Sequence, residues 1–359
     1  MQRPLYVPIL KWKQGEQGAL RELDSSTKAA ILPLLELPPL EYNFVDDCFK
    51  KTLEEHVEKL PQILLKSWAG QFYLDICNLQ EKYLPGNIYI YSHIDELLET
   101  EDAISQYIPI YTPTCPLKNN SYFRHCIDSG RTIAIRLKFN EVDDFEDIME
   151  LVINNLNIIP EEMHNIDLIV DLGYINPPDA KRMLKLLKLS LSELPHINLW
   201  RYIIIAGTSM PETLSALSSG SSLHIPRVFY QLYTHFVSKH NYEREFIFGD
   251  YGISNPAILE DVDPRFLNPS CNIRYTIADS YFIVKGTAFK KYGGAQHADL
   301  CDKIISTPGI YYGSTFSAGD KYISDCATLS VSGGSLTTWR KAGTNHHLTL
   351  VVNQLSSLV

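Results

Sequence analysis

The chain has 359 residues, 45% of them hydrophobic and 21% charged, with a formal net charge of −10 at pH 7. That length and apolar content can build a sizeable core without cross-links, and seven scattered cysteines with no C-x-x-C pair argue against a disulfide framework or a zinc site. The acidic balance opposes a broad non-specific grip on nucleic acid, and the absence of a leader-like start or of any run near the ~18 apolar residues of a membrane span points to a soluble, cytoplasmic protein.

In chain order, short runs rich in Ile, Val, Leu and Tyr occupy 5–10, 31–37, 71–76, 107–112, 131–138, 166–173, 202–209 and 245–252. Segments of helical spacing lie between them, notably 49–68, 143–156, 179–194 and 227–240. Strands this apolar, alternating with amphipathic helices, belong in a parallel sheet covered by helices. Eight β-α units over residues 5–252 predict an α/β fold of the closed (β/α)8 type, a TIM-like barrel. An open doubly wound sheet is the competing architecture, but no G-x-G-x-x-G follows the first strand. Residues 272–289 alternate with period two on both sides of Asp279-Ser280 and predict a β-hairpin. A Gly/Ser/Tyr-rich stretch, 306–338, is expected to be a closing loop, and 345–358 a helix returning to the barrel wall as its eighth. The whole chain, 1–359, is expected to form one barrel domain.

Barrel active sites gather at the C-terminal ends of the strands. The polar residues expected there are Lys11 and Lys13, Glu36, Asp75, Arg136 and Lys138, Asp171, Thr208 and Ser209, and Asp250, with Arg274 or Lys285 reaching in from the hairpin. Charges inside apolar strands are costly unless paired or used. One reading has Glu36, Asp75, Asp171 and Asp250 converging on one rim as catalytic acids. Asp75, Asp171 and Asp250 would be the candidate ligands of Mg²⁺ or Mn²⁺, and Lys11, Lys13 and Arg136 would clamp a phosphate. The other has them as ion pairs between strands, Asp75 with Lys11 or Asp171 with Arg136, or as helix caps.

The tail "TTWRKAGTNHHL" adds Trp339, Arg340, His346 and His347. Adjacent residues on a helix point about 100° apart, so one histidine at most is expected to face the site. His346 is the candidate base; Trp339, Arg340 and His347 are candidates for holding substrate. The alternatives are an N-cap and first turn for "TNHH" and a core plug for Trp339. His297 and Cys301 stand at i, i+4 without a nearby partner, which favours a packed helix face. Residues 218–222, "SSGSS", lack the lysine of a P-loop and read as a flexible loop.

The opening "YVPILKWKQGEQGAL", the following "ILPLLELPP" and the closing "WRKAGTNHHL" resemble the phage-type beta protein family, whose activity is largely unassigned. The resemblance rests on Tyr6, Pro8, Lys11, Gly15 or Glu16, Ala19, Leu20, Glu36, Pro38-Pro39, Trp339, Arg340, His346 and His347, and runs nearly end to end. Trp12 stands where a small residue is expected. The resemblance implies an association with phage or bacterial defence gene sets and supplies no reaction. Two expectations follow. The first is a phosphate-directed barrel enzyme, a hydrolase or phosphoesterase acting on a nucleotide or nucleic-acid end. The second is a non-catalytic barrel that binds a ligand or a protein partner of a defence system.

Overall fold

In this computed structural model, which describes residues 3–79, 90–139, 144–240, 242–257 and 268–358, all eight expected runs become parallel strands of one closed barrel. The strands are β1 (Tyr6–Lys11), β2 (Leu34–Glu36), the small hairpin β3 (Tyr42–Asn43) and β4 (Cys48–Phe49), β5 (Phe72–Asp75), β6 (Tyr107–Tyr111), β7 (Ile133–Lys138), β8 (Ile166–Tyr174), β9 (Tyr202–Thr208), β10 (Ser222–Pro226), β11 (Ile247–Asp250), β12 (Ser270–Thr276) and β13 (Ser280–Ala288). The barrel runs β1-β2-β5-β6-β7-β8-β9-β11 and returns to β1. Side chains alternate in and out. Val7, Ile9, Leu34, Tyr73, Ile169 and Ile204 are among those filling the interior, while their neighbours Leu10, Leu35, Leu74, Val170 and Ile205 pack outward under the helices.

The helices are α1 (Gln14–Arg21), α2 (Ser25–Ala30), α3 (Leu53–Val57), α4 (Leu60–Ser67), α5 (Ile90–Thr100), α6 (Asn120–Asp128), α7 (Phe145–Leu156), α8 (Ala180–Glu193), α9 (Val228–Lys239), α10 (Phe289–Tyr292), α11 (His297–Ser306), α12 (Ala318–Ala327) and α13 (Leu336–Ser356). The helical stretch expected over 49–68 splits in two: Thr52 and Glu55 form a capping box for α3, and Pro61, which has no N–H to give, sits in the first turn of α4. Asp144 caps α7 by accepting from Glu146 N (2.9 Å) and Asp147 N (3.2 Å). At the N-terminal end of the barrel Asp167 lies inside, receiving Tyr73 Oη at 2.7 Å and the Arg201 guanidinium. Polar groups at that end of such barrels serve stability.

After the barrel, β12 and β13 form the expected hairpin, but a third strand joins it. β10 pairs antiparallel with β13, so the stretch from Ser222 belongs to a sheet where only a loop was expected. The expected closing loop also contains a helix. Ser317 caps α12, and α13 begins at Leu336 rather than Asn345. The sheet, α11 and α12 share a smaller core of Cys271, Ile273, Tyr275, Val284, Cys301 and Ile323. α13 is buried on all sides: Trp339 and Ala342 enter that smaller core, and Leu348, Val351, Val352 and Leu355 enter the layer around the barrel. It packs on β1, α1 and α2, the place of the eighth barrel helix, and on β12 and α12. All seven cysteines are free. Among the described residues no helix is long and apolar enough to cross a membrane.

Candidate functional site

Three of the four expected acids do meet. Glu36 and Asp75 end their strands and Asp171 lies near the end of β8, all on the inward-facing register, and Arg136 of β7 enters from the same register. Arg136 Nη1 donates to Glu36 Oε1 (2.9 Å) and Asp75 Oδ2 (2.6 Å); Nε and Nη2 donate to Asp171 Oδ2 (3.0 and 2.7 Å). Tyr251 completes the knot, its hydroxyl donating to Asp171 Oδ2 at 2.5 Å and accepting from Arg136 Nη2 at 2.8 Å. Arg136 is wholly buried. Desolvation works against its charge, but Tyr251, Asp171, Glu36 and Asp75 outweigh it and hold the guanidinium well above its usual pKa. Burial pushes the Asp75 carboxyl upward; Arg136 and Lys138 overcome that and hold it below the usual carboxylate range. The second oxygens of the two aspartates, Oδ1 of Asp75 and of Asp171, accept from Cys77 N (2.9 Å) and Gly173 N (3.0 Å). Of the two expectations for these acids, pairing describes the geometry, with Arg136 as their shared partner.

Asp250 is the correction. Ile247 and Tyr251 face the barrel interior and Phe248 faces out, so Asp250 turns outward, away from the other three. A metal shared by Asp75, Asp171 and Asp250 therefore has no common point to occupy. Among the described residues no group of three or more His, Cys, Asp or Glu side chains is arranged to hold a metal ion. Asp250 instead receives Tyr6 Oη and Gly252 N (2.8 Å) on Oδ1 and lies 2.9 Å from His347 Nε2 through Oδ2.

The two histidines lie in the middle of α13, not in an N-cap or first turn. Pointing apart, they fasten α13 to two different layers. His347 bridges Asp250 on the barrel and Thr276 Oγ1 (2.8 Å) on β12. Burial pushes the His347 pKa down against the pull of Asp250, so the ring is neutral, Nε2–H donating to Asp250 and Nδ1 accepting from Thr276. The order hydroxyl, imidazole, carboxylate is that of a nucleophile triad, but Thr276 and His347 are sealed from solvent. His346 lies between Asp320 Oδ2 (2.7 Å) and the Thr276 carbonyl (2.7 Å), with its ring stacked 4.0 Å from that of Tyr275. Both of its nitrogens are thus engaged, one by the α12 carboxylate and one by the β12 backbone. Trp339 is a core residue, stacked on His297 (4.7 Å) and donating to Gly333 O (2.8 Å). Cys301 lies in the same small core. Ser209 accepts from Phe229 N (2.8 Å) at the start of α9; Thr208 Oγ1 accepts from Met210 N (3.1 Å). Lys285 binds the Leu214 and Leu217 carbonyls.

The open part of the mouth lies beside the knot. A cleft of about 360 Å³ is lined by Lys11, Lys13, Arg274 and Arg340, by Glu16 and Glu212, and by the first turns of α1 and α13. Its shape follows from small residues. A Cβ on Gly15 would stand 2.6 Å from Arg340 Cγ, so only glycine lets the stem of Arg340 cross α1; a Cβ on Gly343 would stand 2.8 Å from the Arg274 carbonyl, so glycine lets α13 lie on β12. Asn345 fixes the same crossing, accepting from Gly319 N (3.0 Å) and donating to Ala19 O (3.1 Å).

Arg274 Nη1 donates to Ile253 O (2.7 Å), and Arg340 Nη1 donates to Ser254 Oγ (2.7 Å). Burial, and then the charge of Arg340, bring Arg274 down to about 9. Lys11 Nζ donates to Ala257 O at 2.7 Å and is pushed down by burial, with Glu36 pulling the other way. Glu16, itself buried, has its carboxyl pushed up by burial against the opposing pull of Arg340, whose Nε lies 3.7 Å away. Glu16 was legible only as part of the family resemblance. The local signal for it was Gly15 and Gly18 on one face of a short helix, the mark of a close helix crossing.

A closed parallel barrel with a basic cleft at the C-terminal ends of its strands defines the class: a (β/α)8-barrel protein. The sequence model of the Beta protein family matches residues 6–353, and the chain belongs to that family. No curated protein matches the chain.

Proposed function

We propose that the protein binds a phosphate-bearing ligand in the mouth cleft, in the class of nucleotides or nucleic-acid ends. The observation that carries this reading is the Arg274–Arg340 pair. Two guanidiniums face one cleft, Arg274 has no carboxylate partner among the described residues, and its charge is held at a cost that a bound anion relieves. The first turn of α1, which no side chain caps, reinforces it, because a helix start leaves N–H groups without intrahelical acceptors and carries the positive end of the macrodipole. Lys11 and Lys13 extend the positive wall.

Glu16 supports a hydrolytic use of the same cleft over binding alone. It is a buried carboxyl beside the cations whose pKa burial raises, the kind of group that exchanges a proton with a bound substrate. In this reading Arg136 and its three acids are the floor that keeps the mouth rigid, and the residues acting on ligand are Arg274, Arg340, Lys11, Lys13 and Glu16. The test is calorimetric titration of inorganic pyrophosphate into the wild-type chain, Arg274→Gln and Arg340→Gln at two salt concentrations. Salt-sensitive binding that each variant weakens at least tenfold is expected; equal affinity in all three proteins would refute the cleft as the anion site. Turnover of a phosphate ester by wild type and not by Glu16→Gln separates the enzyme from the binding module.

A further inference from the structure

A second cavity of about 200 Å³ adjoins the cleft, and Arg274, Leu336 and Arg340 line both. The guanidinium pair is therefore a waist between two lobes of different chemistry. The larger lobe carries the lysines and carboxylates. The smaller is walled by Ile253, Pro269, Leu336 and Trp339, with Ser270 and Asn272 as its polar edge.

The strand that supplies this edge was built for it by alternation. Cys271, Ile273 and Tyr275 point into the small core, so Ser270, Asn272 and Arg274 share the opposite face of β12, turned to the cavity. Pairing with β13 shifts register between Ser270 and Asn272, and irregularities of this kind re-aim side chains beside sites. Asn272 Nδ2 is held by Ser270 O at 3.1 Å. That fixes the amide and presents its Oδ1 as an acceptor. An apolar slot with a fixed amide edge, next to two guanidiniums, suits a flat heteroaromatic group with its own hydrogen-bonding edge on a phosphate ester.

Resting on the anion-binding reading above, we infer that the ligand is a nucleoside phosphate, its phosphate held at the Arg274–Arg340 waist and its base in the lobe edged by Ser270 and Asn272. The test uses the full chain and three probes by calorimetry: inorganic phosphate, ribose 5-phosphate and adenosine 5′-monophosphate. The nucleotide is expected to bind at least tenfold tighter than the other two. Asn272→Ala, which removes the edge, and Asn272→Phe, which fills the lobe, are expected to bring the nucleotide to the level of ribose 5-phosphate while leaving inorganic phosphate within twofold. Arg274→Gln is expected to weaken all three. Equal affinity for the three probes, all lost in Arg274→Gln, would overturn the base lobe and leave the anion site standing. Binding of none of them would overturn both.

Discussion

The mouth of the barrel has a closed half and an open half, and they use similar residues to opposite ends. In the closed half three carboxylates surround one buried guanidinium, with Tyr251 and two backbone N–H groups donating to the two aspartates. In the open half two guanidiniums and two lysines face a cleft with the carboxyls of Glu16 and Glu212. The difference teaches that convergence of charge does not by itself mark a site. A buried cluster whose charges are paired with one another is structural, whereas charge held at a cost beside open space is available to a ligand.

The largest effect expected from breaking this contrast comes from Arg136→Met. It leaves Glu36, Asp75 and Asp171 buried without their cation and is expected to cost about 3–5 kcal/mol, read from urea unfolding. A loss below about 1 kcal/mol would show that the knot is not the structural half.

His347→Leu comes next. It strips Asp250 and Thr276 of their shared partner and is expected to cost about 1–3 kcal/mol. The pH dependence has a definite sign. The pKa values of His347 and Asp250 are both depressed in the folded state, so their contribution is present above the unfolded values and is lost as pH falls through the folded ones. The melting temperature of the wild type should therefore fall on acidification below the ordinary histidine range, and the variant should flatten the upper part of that fall.

In the open half, Gly15→Ala pushes on the stem of Arg340 and is expected to weaken pyrophosphate binding about tenfold, or roughly 1.4 kcal/mol, with melting shifted far less than in Arg136→Met. Undiminished affinity would detach Arg340 from the anion site. Glu16→Gln carries the smallest shift. The Glu16 carboxyl is raised in the folded state, so its ionisation opposes folding as pH rises past the ordinary carboxylate range. Glu16→Gln should melt slightly higher than wild type at pH 7 and equally at pH 4. Sulfate, which does not titrate in this range, should bind the wild type more tightly as pH falls and bind Glu16→Gln with little pH dependence.

How much of this was legible in the sequence differs by residue. The eight strands were, because each is an apolar run long enough to stand out from its helices. The inward acids were half legible. Counting alternation from Ile247 would have sent Asp250 outward and brought Tyr251 in, since strand parity is a local property. That Arg136 would gather all three of the others was not, because its partners come from three strands far apart in the chain. The His-His pair showed that two neighbours on a helix must face different surroundings; which surroundings they were depended on Asp250 and Asp320, which no local pattern joins to them.

The chain's order of apolar runs and amphipathic segments by itself determined the barrel and the hairpin, since period and burial are written residue by residue. Only the tertiary structure decided which charges are spent and which are free. Pairing depends on distances between strand ends and on the glycines that let α13 cross α1 and β12, and those distances exist only once the barrel has closed.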